Sequence, residues 1–361
     1  MGRKSLKISL LCGVALLLIF ALLLLDNNTP IVLSKNALFK VNKPEVLIQL
    51  PGQLAWAGDN TFYHLDKKVL RKLNINQRIL WERNLDGDLL LWMNSRGILT
   101  ADKDTVKLWD KDKTLCFERQ DFLQNAKVLS AKGDYWLFSG KIEGNSHGAL
   151  IDSDGDIMWY IPLSESVISG DVTSSGLYAV LNLLDEELKG KILLVGSKGA
   201  VLWEKSCGTM FFQVRVLDFG VVAIAEDRAF AIDYNGKKIW EYAFNGQVVR
   251  GDIGDDGYTV AVVKGDSSNL NIKDDFNIIM ISREGTNLWT YGFRSFIKQI
   301  QKGKDFVYIA DESGVYVLSR EGLLTSKLAL SGVGNIEETP FGDLIVIGEK
   351  KSSLIKFSDG R

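Results

Sequence analysis

The sequence predicts an all-β chain folded as a propeller of eight four-stranded blades behind one N-terminal transmembrane helix, and three observations predict it. A short phrase recurs, strand-like text precedes each copy, and the two ends read as complementary halves of one blade. The phrase is a tight turn followed, four residues after its last position, by an apolar pair ending in an aromatic. Asp152 to Gly155 leads to Trp159, Gly196 to Gly199 to Trp203, Asp233 to Gly236 to Trp240, and Ser282 to Gly285 to Trp289. Weaker copies run from Asn74 to Gln77 and Trp81, and from Asp110 to Lys113 and Phe117. Recurrence at about 40 residues in strand-rich text is the mark of propeller blades.

The chain opens on an address. Arg3, Lys4 and Lys7 precede Ile8 to Leu25, a run without a charge that as a helix measures about 27 Å, close to the hydrocarbon thickness of a bilayer. A cleaved signal peptide has a shorter apolar core and a small-residue cleavage site, whereas this run ends in four leucines, Leu22 to Leu25. A lipoprotein reading through Cys12 fails because most of the apolar run follows that cysteine. Basic residues on the short side place residues 1–7 in the cytoplasm and the rest outside. Residues 26–34 read as a linker reaching at most about 30 Å, and residues 35–361 as the propeller.

Within the propeller, 245–293 shows one blade in order. Gln247 to Ile253 is the inner strand, Tyr258 to Lys264 the second, Asn277 to Ser282 the third and Asn287 to Phe293 the outer, with turns at Asp255 to Gly257 and Arg283 to Gly285. Leu177 to Asn182, Lys191 to Val195, Val221 to Ala225 and Arg228 to Ile232 repeat the middle strands. A degraded seventh copy places Ser326 where the aromatic belongs. The C-terminal text stops after a third strand and a turn, and Ala37 to Val41 reads as an outer strand with nothing before it, so the N-terminal strand is expected to close the ring. The repeat aromatics are then Phe39, Trp81, Phe117, Trp159, Trp203, Trp240 and Trp289. Closure removes an exposed strand edge.

Composition narrows the functional classes. A net charge of −2, with three positive charges at the extreme N-terminus, leaves a mildly acidic body that nucleic acid would repel. Cys116 and Cys207 fall in different repeats and read as two unpaired thiols, which excludes a disulfide scaffold.

The pattern Asp-x-x-Gly-x-x-x-Trp, in Asp152 to Trp159 and Asp233 to Trp240, resembles the PQQ-like, quinoprotein-type propeller repeat over roughly residues 35 to 361. In that family the tryptophans dock one blade on the next. The chain is most similar to non-enzymatic members, the outer-membrane assembly lipoprotein B type and Gram-positive propellers with one membrane anchor. It departs from the quinoprotein dehydrogenases, which are longer and carry an adjacent cysteine pair with Ca²⁺ and quinone ligands that have no matching positions here. It departs from the outer-membrane lipoproteins in its uncleaved anchor.

Candidate chemistry is sparse. His64 and His147 stand in different repeats and read as surface or loop residues. Asp152, Asp154 and Asp156 alternate as calcium ligands do, but Asp and Gly are also what the turn requires, and the same holds for Asp252, Asp255 and Asp256. Lys302 to Lys304 read as a solvated turn. No catalytic, cofactor or metal residue is expected.

Binding is therefore expected on a face. Loops joining second to third strands share one face with the links between blades, and three look extended: 140–147 with Lys141, Glu143, Asn145 and His147; 184–189 with Asp185, Glu186 and Glu187; and 265–275 with Ser268, Asn269 and Asn271. A link carrying Met210, Phe211 and Phe212 adds apolar anchors on the same face. The reading is a membrane-anchored extracytoplasmic scaffold for an envelope or membrane protein, without cofactor. Its rivals are a quinone- or Ca²⁺-dependent enzyme or carrier using the channel, and a sensory ectodomain acting through a membrane partner.

Overall fold

The computed structural model describes residues 32–34, 37–39, 44–85, 89–95, 97–102, 105–112, 114–265 and 275–357. The expected membrane segment 8–25 lies outside them, as do Ser268, Asn269 and Asn271; among the described residues no helix is long and apolar enough to cross a membrane.

Eight antiparallel four-stranded sheets build the ring, seven of them ordered inner to outer as the chain runs. Blade 1 extends from inner strand Gln53–Gly58 to outer strand Ile79–Asn84, and blade 2 from Leu89–Asn94 to Leu115–Arg119. Blades 3 and 4 extend from Gln124–Lys132 to Ile157–Leu163 and from Ser166–Val172 to Val201–Ser206. Blades 5, 6 and 7 begin at Phe211–Leu217, Gln247–Ile253 and Gln299–Lys302 and end at Lys238–Ala243, Asn287–Phe293 and Leu324–Ala329.

Blade 8 joins the two ends of the chain: Val333–Glu338, Leu344–Gly348 and Lys351–Lys356 supply three strands and Glu45–Pro51 the outer one. An N-terminal strand does close the ring, but not the expected one. Ala37–Phe39 pairs with Val32–Ser34 in a separate hairpin, Phe39 opposite Val32, so Phe39 is not a ring aromatic. The register shows what replaces it. In blade 5 the outer strand steps between Trp240, opposite Ala231, and Lys238, opposite Ile232; in blade 8 the same step lies between Ile48, opposite Leu354, and Val46, opposite Ile355. Ile48 holds the tryptophan's place, 1% exposed, packed against Leu54, Trp56 and Phe62 of blade 1.

The core is divided rather than central. Eight apolar clusters are each shared by two successive blades, from blades 1 and 2 (Tyr63, Leu70, Ile98) round to blades 8 and 1. Middle strands are covered on both faces, which is why Gly220–Ala225 is buried throughout, while the outer strand Lys238–Ala243 buries few residues besides Trp240.

The repeated phrase is a device for these interfaces. Asp233 accepts the amides of Asn235 and Lys237 at 2.9 and 2.8 Å, and Asp152 does the same for Asp154 and Asp156, so these carboxylates hold turns. The turn glycine serves two demands at Gly285: its φ is +82°, and a Cβ there would lie 2.8 Å from the Trp240 ring of the preceding blade. Trp240 Nε1 donates to the Arg283 carbonyl in that turn at 2.8 Å, and Trp289 to that of Arg320 at 2.8 Å. Phe117, Trp159, Trp203 and Trp289 likewise lie against Gly155, Gly199, Gly236 and Gly322 of the next blade.

Candidate functional site

Two faces and a channel offer sites. One face carries the hairpins between second and third strands and the links between blades (the link face); the other carries the remaining turns (the turn face).

On the link face the expected loop 140–147 is a longer hairpin. Lys141 pairs with Ser146 and His147 with Gly140, and Glu143 and Gly144, at φ +50° and +86°, form the two-residue turn whose twist suits a hairpin. Lys141, Glu143 and Asn145 are exposed and His147 is half-buried. Asp185, Glu186 and Glu187 belong to a tight turn in which Asp185 accepts the amides of Glu187 and Lys189 at 2.9 and 2.8 Å, with Leu188 at φ +62°. This turn is tied to the next link, because Gly190 N donates to Thr209 O at 3.1 Å and Cys207 N to Gly190 O at 2.9 Å.

The apolar anchors are corrected. Phe211 is buried in the cluster of blades 4 and 5 with its ring edge on Phe230, and Phe212 is half-buried against the cluster of blades 5 and 6. The register shift between Phe211 and Gln213 makes Phe212 an extra residue of the strand, and both rings find cover. Met210 alone stays at the surface. The link face gains apolar residues that the sequence reading passed over: Leu89 (65% exposed), Leu188 (67%) and Phe296 (55%) beside Met210 (36%).

The turn face holds a groove of about 690 Å³ between blades 3 and 6, lined by Lys132, Leu177, Tyr178, Asp218, Tyr234 and Arg283 among others. Tyr178 and Tyr234 stack at 4.0 Å, and Arg283 pairs with Asp218 at 2.6 Å. Its rim is an ionic chain. Asp255 takes Arg215 at 2.6 Å and Lys132 at 3.3 Å; burial raises its pKa, but these two cations outweigh burial and hold it below the ordinary value. Asp171 joins three blades by accepting Ser130 Oγ and Lys132 Nζ at 2.8 Å and the Val216 amide at 3.1 Å. The legible signal was Lys132, Asp171, Arg215 and Asp252, alternating in sign near the ends of four successive inner strands.

Lys302 also departs from expectation. Its side chain is 1% exposed, and Nζ reaches Asp256 at 3.1 Å while its amide donates to Asp252 at 2.8 Å. Asp252 carries a raised pKa because burial outweighs Arg215. Glu338 accepts the Lys304 amide at 2.6 Å and the Tyr308 hydroxyl at 2.8 Å. Carboxylates and lysines that resembled loose surface charge therefore staple blade to blade.

The inner strands of blades 5 to 8 enclose a channel cavity of about 380 Å³, lined by Gln213, Arg215, Arg250, Asp252, Lys298 and Gln301 among others. His64 is buried in blade 1 rather than on the surface, its Nε2 against the Pro51 carbonyl; Cys116 and Cys207 are free thiols; and among the described residues no three His, Cys, Asp or Glu side chains gather to hold a metal ion.

Fold and site together define an eight-bladed propeller with a polar channel. No family model matches the chain, and no curated protein matches it in sequence. Solved structures do match in fold. BamB from Moraxella catarrhalis superposes with a TM-score of 0.60 at 12% identity, covering 87% of this chain and 100% of that one. Sqt1 from Saccharomyces cerevisiae gives 0.62 at 10% identity, covering 87% and 99%. NirN, a dihydro-heme d1 dehydrogenase, gives 0.58 at 14% identity, covering 83% and 71%. At such identities the likeness is one of fold alone.

Proposed function

We propose that the chain is a membrane-anchored, extracytoplasmic, non-catalytic scaffold that binds a protein partner of the cell envelope through its link face. The observation that carries this reading is the set of large apolar side chains standing out on that face, Leu89, Leu188, Met210 and Phe296. Leu188 and Met210 sit on two segments tied to each other by backbone hydrogen bonds, so the pair is presented rigidly, next to the exposed carboxylates of Glu186 and Glu187. Apolar anchors with a charged rim on a fixed backbone are what a protein interface uses. The apolar run from Ile8 to Leu25 supports anchoring, and the basic residues before it support an outward-facing ring.

The test is photocrosslinking of the full-length protein in its native membrane, with the probe at Leu188 or Met210 and a control at exposed Lys237 on the turn face. One dominant protein partner from the link-face probes, absent from the control, is expected. No adduct, or the same adduct from Lys237, would sink the reading.

A further inference from the structure

The ring takes in the chain from one side. Glu45 stands opposite Lys356 and Pro51 opposite Lys351, and the inner strand Gln53–Gly58 of blade 1 follows, so the strand Glu45–Pro51 enters at the turn face and leaves at the link face. Everything before Glu45, including the apolar run Ile8 to Leu25, is therefore attached at the turn-face edge of blade 8. The hairpin shortens that attachment, because Val32 stands opposite Phe39 and the pair adds only one strand spacing. From Leu25 to Glu45 the chain reaches at most about 45 Å. Resting the link face on a bilayer would take about 20 Å of this to run back along the outer strand, whereas resting the turn-face edge on it takes none.

The turns at this edge differ from those across the ring. Phe341, in the first turn of blade 8, is 70% exposed and is held edge-on to Trp56 of blade 1, with 5.3 Å between ring centroids. Ile75, in the last turn of blade 1, is exposed as well. Both turns are closed, Gly342 N donating to Thr339 O at 3.0 Å and Gln77 N to Asn74 O at 2.9 Å, so the two side chains stand on a fixed backbone. At the same edge Arg78 and Lys356 offset Glu45 and Asp343 in charge. Across the ring the turns carry exposed carboxylates instead, among them Asp134, Asp154, Asp218 and Glu284, and the exposed Leu177 lines the groove. Exposed residues just before the aromatics, such as Leu202 and Ile239, recur round the ring and so mark no edge.

We infer that the ring rests on the bilayer surface by the turn-face edge of blades 8 and 1, with Phe341 and Ile75 at the boundary between headgroups and acyl chains. This rests on the anchoring proposed above. Apolar side chains on a fixed backbone gain by leaving water at that depth, whereas carboxylates lose by it, so the far side of the ring tilts away from the membrane. The link face then looks outward. Its partner meets it in the aqueous phase, as a protein domain outside the bilayer rather than a membrane-embedded helix.

The experiment reconstitutes the full-length protein, its three cysteines changed to serine, in phosphatidylcholine vesicles whose acyl chains carry a nitroxide near the headgroup. A fluorophore is attached through Asn76→Cys beside Ile75, Asn235→Cys on the far side of the turn face, or Lys141→Cys on the link face, all three exposed positions. Quenching at residue 76 at least twofold stronger than at the other two is expected, and adding Phe341→Asp with Ile75→Asp should weaken it at least twofold. Flotation with the vesicles reads the anchoring separately. A chain that does not float removes the anchoring and this inference with it. A chain that floats overturns the inference alone if the three sites are quenched equally, if residue 235 or 141 is quenched most, or if the double variant leaves quenching at residue 76 unchanged.

Discussion

Blades 3 to 6 and the seam where blades 7, 8 and 1 meet solve one packing problem by different means. In the regular sector each outer-strand aromatic lies over the turn glycine of the next blade, as Trp240 does over Gly285, and an inner-strand carboxylate such as Asp171 is fully engaged by its neighbours. At the seam Ser326 takes the aromatic's register opposite Val317. Among the described residues no turn joins the third and outer strands of blade 8, which come from opposite ends of the ring's sequence. Ile48 replaces the next tryptophan, Gln77 at φ +61° replaces the turn glycine of blade 1, and Glu337 is raised in pKa by burial alone. The difference teaches that the phrase is a local dock, while the seam is held by the strand Glu45–Pro51 itself.

The largest way to break this comparison is Ile48→Asp, which leaves an unpaired charge in the last interface. A loss of more than about 4 kcal/mol is expected, against about 0.5 kcal/mol for Val46→Asp on the exposed side of the same strand; thermal unfolding of the full-length protein in detergent reads both. Equal small shifts would show that the strand is not the latch.

The next pair separates the two demands on a turn glycine. Gly285→Ala meets positive φ and the Trp240 ring together, and about 2–4 kcal/mol should be lost. Gly342, at φ +83° with nothing within 4 Å of a Cβ, should lose only about 1 kcal/mol on the same change. Similar losses at both sites would remove ring docking from the explanation.

The smallest effect concerns Glu337. Burial raises its pKa above the ordinary 4.5, so the folded chain keeps this proton to higher pH than the unfolded chain and loses stability as pH rises through the raised value. Glu337→Gln removes that loss. A gain of about 1 kcal/mol is expected at pH 8, fading to nothing below pH 4. Unfolding midpoints across that range would test it, and a gain independent of pH would contradict it.

Much of the ring was legible because its signals are local. The turn carboxylate, the glycine and the aromatic lie within eight residues, so Asp233 to Trp240 could be read directly. Ile48 could not, since neither turn nor aromatic marks it and its role appears only in register with Leu354. Residues 140–147 looked like an extended loop because the run is almost wholly polar, yet a hairpin exposed on both faces reads the same way. Phe211 looked like an anchor because burial by a neighbouring blade leaves no trace in its own strand. Arg250 and Lys298 line one cavity from residues 48 apart, beyond the reach of any short pattern. Lys302 shows the converse, a lysine between glutamine and glycine that tertiary contacts bury.

Blade 8 also imposes an order of assembly. Gln49 Nε2 donates to Ser353 Oγ across 304 residues, and a flexible chain would lose about 5 kcal/mol of entropy in closing such a loop. Blades formed in succession shorten that search to the last gap in a nearly finished ring. Until then the strand Glu45–Pro51 has no partner and blade 1 lacks a neighbour on one face, so the nascent molecule carries an unpaired strand for almost the whole of its synthesis. Whatever shields that strand while the chain emerges acts on Glu45–Pro51, which waits for Lys351–Lys356 to be made.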